Sequence, residues 1–114
     1  MNMYRGFIEA VNFTKKWYSL GFTDDDLIEL EKTLLINPKA GDVMEGTGGL
    51  RKVRFKFNNS GKSGWVRICY IDLEDKTIIY LIDVFAKNEK ENLSKAERNE
   101  IKKLVTYIKE NADF

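Results

Sequence analysis

The segment from residue 50 to residue 57 alternates between apolar and basic side chains, and this alternation restricts what the chain can form here. Successive side chains of a β-strand point to opposite faces of a sheet. One face of such a strand receives Arg51, Val53, Phe55 and Phe57. The other face receives Lys52, Arg54 and Lys56, spaced roughly 6–7 Å apart. We therefore predict a strand with one side against a core and a row of cations on the other.

Positive charge is concentrated around this strand. The 114-residue chain has a formal net charge of only +1, yet the stretch from Leu50 to Arg67 contains six basic residues and no acidic one. A patch of this kind attracts phosphate groups. The alternative is a solvated edge strand whose lysines discourage aggregation. Alternation alone does not separate the two interpretations.

The absence of histidine limits the chemistry that the chain can perform. Without histidine, the usual acid–base group near neutral pH and the commonest metal ligand are missing, and one cysteine cannot complete a zinc site. We expect no metal and no cofactor.

The lone cysteine, Cys69, rules out an internal disulfide and fits a reducing cytoplasm. No apolar run approaches the roughly 20 residues of a membrane span, and we expect no signal peptide and a cytoplasmic protein without a membrane partner.

The N-terminal third predicts a short strand followed by two helices. We expect the strand between Met3 and Ala10. A helix capped by Asn12 should follow and end at Gly21, with an aromatic stripe facing the core. The second helix should begin at the capping residue Thr23, be favoured by the three aspartates that follow it, and end at Asn37-Pro38.

The rest of the chain predicts a three-stranded meander and a final helix. Residues 41 to 49 are rich in glycine and predict an irregular loop before the basic strand. Further strands are expected at Trp65–Leu73 and at Thr77–Ala86, the latter apolar on both faces. The sequence Ser94-Lys95-Ala96-Glu97 is a capping box. The apolar stripe of the helix that it opens is Ile101, Leu104, Val105 and Ile108.

These elements predict one α+β domain over residues 1–114, in the order β-α-α-β-β-β-α. The sheet should be twisted and mostly antiparallel, with an N-terminal helical hairpin, a C-terminal helix and all helices on one side.

Arg67 interrupts the apolar face of the second meander strand. It could be a buried arginine paired with Asp83 on the next strand, or it could line a concave site and bind phosphate. Its spacing leaves both possibilities open.

Several segments of the chain resemble the HigB branch of the RelE/ParE toxin superfamily. The resemblance covers roughly residues 27 to 110, with the motifs in the expected order and at the expected spacing. The matching segments are residues 37–43, 46–54, 65–70 and 85–89. The resemblance implies a RelE-like compact domain whose concave basic sheet binds RNA. It also implies a small toxin that cuts messenger RNA in the ribosomal A site and inhibits translation.

The resemblance further implies partners and site residues. The partners would be the ribosome, its messenger RNA and a cognate antitoxin of the helix-turn-helix type, with operator DNA bound only through the antitoxin. Lys52, Arg54, Arg67 and Lys87 stand at the family's basic positions and are our candidate catalytic residues. Two positions depart from better-known RelE-type members: Asn88 replaces an arginine, and Leu93-Ser94 occupies the place of a tyrosine. The general base is therefore not identified by the resemblance.

The mechanism that follows needs no metal, because the RNA's own 2′-hydroxyl attacks the adjacent phosphate. Arg67 is our choice for stabilising charge on the phosphorane, since a guanidinium contacts two phosphate oxygens and keeps its proton. Lys52 or Lys87 could act as acid or base, and Glu89 is a weaker candidate base. Contacts to messenger or ribosomal RNA are assigned to Arg51, Lys56, Lys62, Asn88 and Glu89.

Two other functions stay open at this point. The RelE/ParE superfamily also contains inhibitors of DNA gyrase that need no catalytic residues, and a fold alone does not separate the two activities. A third possibility is a nucleic-acid-binding module that has lost its toxicity. The four basic positions favour the ribonuclease.

Overall fold

The computed structural model describes residues 5–56, 65–86 and 93–111. Three helices and five strands lie in these ranges. In chain order they are β1 (Gly6–Glu9), α1 (Val11–Ser19), α2 (Asp24–Ile36), β2 (Asp42–Val43), β3 (Arg51–Lys56), β4 (Trp65–Leu73), β5 (Ile78–Ala86) and α3 (Lys95–Asn111). A 3₁₀ turn, Glu74–Lys76, joins β4 to β5.

The strands form one mixed sheet in the order β1-β5-β4-β3-β2. β1 runs parallel to β5, and the remaining neighbours are antiparallel. The predicted α+β class and the β3-β4-β5 meander are confirmed. The predicted order lacked β2, whose two exposed residues pair with Lys52 and Arg51 inside the loop that we expected to be irregular. A two-residue exposed strand has no periodicity that a sequence could reveal.

Helices cover both faces of the sheet, which corrects the expectation that they lie on one side. The core under α1 and α2 contains Phe13, Trp17, Phe22, Leu30, Leu34, Val66, Ile68, Tyr70, Ile79, Leu81 and Val84. The core under α3 contains Leu50, Cys69, Ile71, Leu73, Ile82, Phe85, Val105 and Ile108. Because β4 and β5 are apolar on both faces along most of their length, one layer of helices would leave a large apolar surface in water.

The helix starts follow local capping rules at two of the three predicted sites. Thr23 and Asp26 form a capping box at the start of α2, and Ser94 and Glu97 form another before α3. The prediction for Asn12 is wrong, because α1 already begins at Val11 and Ala10 occupies the cap position without a side-chain hydrogen bond.

α3 deviates from its predicted apolar stripe at Leu104, which is 44% exposed, whereas Val105 and Ile108 are buried. The helix is also fastened to the glycine-rich loop that leads into β3. Lys109 Nζ donates to the carbonyl oxygen of Gly48 at 2.7 Å, and Arg98 Nη1 donates to that of Glu45 at 3.1 Å. Gly48 has a φ of +78°, which favours glycine. These contacts fix the point at which the basic strand begins.

Tyr70 secures the other side of the same loop. Its buried hydroxyl accepts a hydrogen bond from Gly41 N at 2.9 Å and donates one to Pro38 O at 2.8 Å. A Cβ atom at position 41 would lie 2.9 Å from the backbone carbonyl of Lys52, so the loop can approach β3 this closely only with glycine. Tyr70 of β4 therefore fixes the position of the segment between α2 and β3 through these two hydrogen bonds.

Candidate nucleic-acid interface

β3 divides its side chains between the two faces as its sequence predicted. Val53 and Phe55 pack against the core under α1 and α2. The ring centroid of Phe55 lies 6.1 Å from that of Trp17 and 6.2 Å from that of Phe22. These contacts fix which way the strand faces, so Lys52, Arg54 and Lys56 point to the opposite side of the sheet.

The strand register adds Arg67 to this row of cations. Arg54 on β3 lies directly opposite Arg67 on β4, and Lys56 lies opposite Trp65. Lys52 lies opposite Cys69. We call the group formed by Lys52, Arg54, Lys56 and Arg67 the basic face.

The basic face combines exposed and buried positive charge. Arg54 and Lys56 are exposed, Lys52 is half-buried, and Arg67 is only 5% exposed. Like charges placed directly opposite each other destabilise a sheet. The pair formed by Arg54 and Arg67 is therefore a structural cost, and a bound anion would offset it.

The sequence left open whether Arg67 is paired with Asp83. Asp83 lies opposite Cys69 rather than Arg67, two positions further along the strand pair. Its carboxylate forms an ion pair with Lys16 of α1 at 2.9 Å. Phe85 lies opposite Arg67 on β5. Arg67 is buried, as the first of the two interpretations expected, and it interacts with its surroundings. Asp83, the partner that we considered for it, forms its ion pair with Lys16.

Cys69 lies next to the basic face but is not a nucleophile near neutral pH. Burial and, to a smaller extent, the nearby carboxylate of Asp83 raise the pKa of its thiol to about 12, against smaller opposing effects of Lys52 and Lys16. The thiol therefore keeps its proton, and a thiolate is not available for covalent chemistry or metal binding.

Of the remaining predicted site residues, the structure describes Arg51, which does not belong to this group. Arg51 points to the other face of the sheet, where its Nη1 donates to the carbonyl oxygen of Gly41 at 2.7 Å. Lys62, Lys87, Asn88 and Glu89 lie outside the described residues. The candidate catalytic set that the structure describes is thus Lys52, Arg54 and Arg67.

Trp65 is a residue of this surface to which sequence reasoning gave no role. It is 42% exposed, and Lys56 Nζ lies over its ring, 5.9 Å from the centroid. A signal was present in the sequence, since Trp65 precedes Arg67 by two positions and therefore shares its face.

The arrangement can bind anions. It concentrates cations on one patch of a rigid sheet, next to the end of the sheet that α3 covers. The described parts of the chain contain no group of three or more His, Cys, Asp or Glu side chains placed to hold a metal ion. Within the same residues, no helix is both long enough and apolar enough to cross a membrane.

Comparison with known proteins relates the fold to one solved structure in particular. No family model matches the sequence. The fold is similar to that of the toxin RelE from E. coli, solved as a mutant in the free state, with a TM-score of 0.53 and 19% sequence identity. The match covers 75% of this chain and 85% of that chain. At this identity the likeness establishes the fold alone: a RelE-like α+β fold.

Proposed function

We propose that the protein is the toxin of a type II toxin–antitoxin system, a ribosome-dependent endoribonuclease that cleaves messenger RNA in the A site. The observation that carries the proposal is the basic face, in which Arg54 and Arg67 oppose each other and Lys52 and Lys56 flank them. A RelE-like fold supports it, because that fold is found in a toxin. The motifs of residues 46–54 and 65–70 favour the HigB branch.

The different exposure of the cations suggests that some of them bind RNA and that another stabilises the transition state. Arg54 and Lys56 are exposed and can reach the phosphates of an extended RNA strand. Arg67 is buried, and a charge in a site with little water acts more strongly on a neighbouring group. We therefore assign RNA binding chiefly to Arg54 and Lys56, and stabilisation of the phosphorane to Arg67. Arg54 would also contact the reacting phosphate.

The chemistry is a transesterification within the RNA. The 2′-hydroxyl loses its proton and attacks the adjacent phosphorus, the bond to the 5′-oxygen breaks, and that oxygen receives a proton. The products are a 2′,3′-cyclic phosphate and a 5′-hydroxyl. Lys52 on the basic face, or Lys87 beyond the described residues, would carry one of the two proton transfers.

The proposal also carries partners. The ribosome would present the A-site codon, and a cognate antitoxin of the helix-turn-helix type that the family resemblance implies would neutralise the toxin in the cytoplasm. Operator DNA would be reached only through that antitoxin. An antitoxin could cover the basic face itself or block entry to the ribosome from elsewhere on the surface.

The test uses an end-labelled messenger on programmed ribosomes, with the wild type, Arg67→Ala and Lys15→Ala compared. Lys15 is an exposed lysine of α1, on the opposite side of the sheet, and serves as the control. We expect cuts in the A-site codon that require the ribosome. Loss of one charge-stabilising group should reduce cleavage by about 10²–10³-fold in Arg67→Ala, with no change in Lys15→Ala.

The variants must be shown to fold, because Arg67 is buried; Arg67→Lys keeps a cation there and serves as a second variant. Cleavage by Arg67→Ala at the wild-type rate would refute its assignment. An intact messenger together with inhibition of gyrase supercoiling would replace the proposal with the gyrase inhibitor. Inactivity in both assays would point to a module that has lost its toxicity.

A further inference from the structure

Trp65 is exposed, unlike the other tryptophan of the chain. The other tryptophan, Trp17, is fully buried, stacks on Phe13 and Phe22, and donates its indole N–H to Thr23 O at 3.1 Å. Trp65 begins β4 and leaves 42% of its surface in solvent. A large exposed aromatic side chain costs apolar burial and is typical of surfaces that bind a partner.

The neighbours of Trp65 define the chemistry of that partner. Lys56 lies opposite it on β3, with Nζ 5.9 Å from the ring centroid. Arg67 follows two positions along the same face, and Arg54 lies opposite Arg67. An aromatic ring bordered by three cations matches a nucleotide, which has a flat base and a negative phosphate.

We infer that Trp65 is a stacking platform for one unpaired base of the RNA, next to the phosphates held by Arg54 and Lys56. The inference rests on the proposed function and adds a positioning residue to it. Every base has a π-face, so stacking of this kind tolerates different sequences. It would hold the strand across the basic face at a fixed point and set which phosphate reaches Arg67.

The contact between Lys56 and Trp65 does not prevent stacking. A cation–π contact of an exposed lysine is weak, and stacking on a base is stronger. The lysine stem is flexible and its charge is strongly hydrated. Binding of RNA can therefore move Lys56 from the ring to a phosphate, where it gains an ionic contact.

The experiment measures binding of a short single-stranded RNA and of a matched RNA that lacks its central bases but keeps every phosphate. The proteins are the wild type, Trp65→Ala, Trp65→Phe and the control Lys15→Ala. We expect the wild type to prefer the base-bearing RNA by about 5- to 150-fold. Trp65→Ala should lose most of this preference, Trp65→Phe should keep most of it, and Lys15→Ala should behave as the wild type.

Intrinsic fluorescence gives a second readout of the same inference. Because Trp17 is buried, quenching of tryptophan emission by the base-bearing RNA reports on Trp65. Equal affinity of the wild type for both RNAs, without quenching, would overturn the inference and leave binding to phosphates alone. The same result with tight binding of an acidic peptide would assign Trp65 to a protein partner.

The two proposals fail separately. If the wild type cuts the messenger on ribosomes and Trp65→Ala cuts it equally well at the same sites, the stacking inference is wrong and the ribonuclease proposal stands. If the wild type cuts nothing but Trp65 is quenched by base-bearing RNA, the ribonuclease proposal is wrong and Trp65 remains a base-stacking residue of a binding protein.

Discussion

Replacing Arg54 with glutamine should stabilise the folded protein and weaken its binding to RNA. Arg54 lies directly opposite Arg67, so their Cβ atoms are about 4.5–5.5 Å apart. Like charges in this position cost about 0.2–1 kcal/mol. Because Arg54 is exposed, water and salt partly screen the pair, and we expect a gain within that range although Arg67 is only 5% exposed. Glutamine keeps much of the aliphatic stem, so the loss of packing is small.

Urea denaturation measures the stability change, and the control is Lys15→Gln, which removes the same charge from α1. The gain in Arg54→Gln should shrink at about 1 M salt, where the screening length is about 3 Å. Lys15→Gln should change the free energy of unfolding by less than about 0.5 kcal/mol.

Binding to single-stranded RNA should change in the opposite direction. Loss of one phosphate contact lowers the slope of log K against log salt by about 0.7. Arg54→Gln should show this smaller slope, and Lys15→Gln the wild-type slope. A destabilised Arg54→Gln protein, or one with an unchanged salt slope, would refute the argument that the arginine pair is kept for an anionic ligand.

Two predictions concern the scaffold behind the basic face. Tyr70→Phe should lower the free energy of unfolding by about 1–3 kcal/mol, because it removes the hydroxyl that bonds both the Gly41 N–H and the Pro38 carbonyl. In urea denaturation the control Tyr107→Phe, which alters a tyrosine that is 64% exposed, should lose far less. The thiol pKa of Cys69 is raised from 9.0 to about 12, so at pH values between these the folded protein keeps a proton that the unfolded chain has lost. The free energy of unfolding therefore falls as pH rises from about 9 to about 12. From pH 8 to about pH 10 this thiol should contribute a loss of about 1.4 kcal/mol, measured by urea denaturation, and Cys69→Ala should lack that contribution; an equal total loss in Cys69→Ala would contradict the assignment.

The sequence predicted those parts of the fold that local chemistry decides. Alternation in β3 identified its two faces, because a strand buried on one side must repeat every two residues. The capping residue Thr23 and the left-handed Gly21, with a φ of +91°, marked helix boundaries for a similar reason. Each of these signals lies within a few residues of the feature that it predicts.

The parts that were missed depend on contacts between distant segments. Placing α3 on the opposite face requires knowing that Leu50, Ile71 and Val105 share a core, although they are far apart in sequence. The exposure of Leu104 and of Trp65 also depends on what packs over them, which periodicity does not reveal. The position of Asp83 opposite Cys69 could not be predicted, because it depends on the register between β4 and β5, which spacing along the chain does not give.

In the candidate site, too, the sequence predicted what local spacing decides and missed what depends on contacts between strands. Lys52, Arg54 and Lys56 could be placed on one face from their spacing alone. That Arg67 lies opposite Arg54 required the register of β3 and β4. The burial of Arg67 depends on how the helices and strands pack together, and it is the observation that most supports the role we propose for this residue.

The most direct test of the account is cleavage of a messenger whose A-site codon carries 2′-deoxynucleotides, compared on programmed ribosomes with the all-ribose messenger. We predict that the wild-type protein cuts the ribose codon, leaves a 2′,3′-cyclic phosphate and does not cut the deoxy codon, since the attacking oxygen is then absent. Equal cutting of both messengers would contradict attack by the 2′-hydroxyl. No cutting of the ribose codon would contradict the ribonuclease itself.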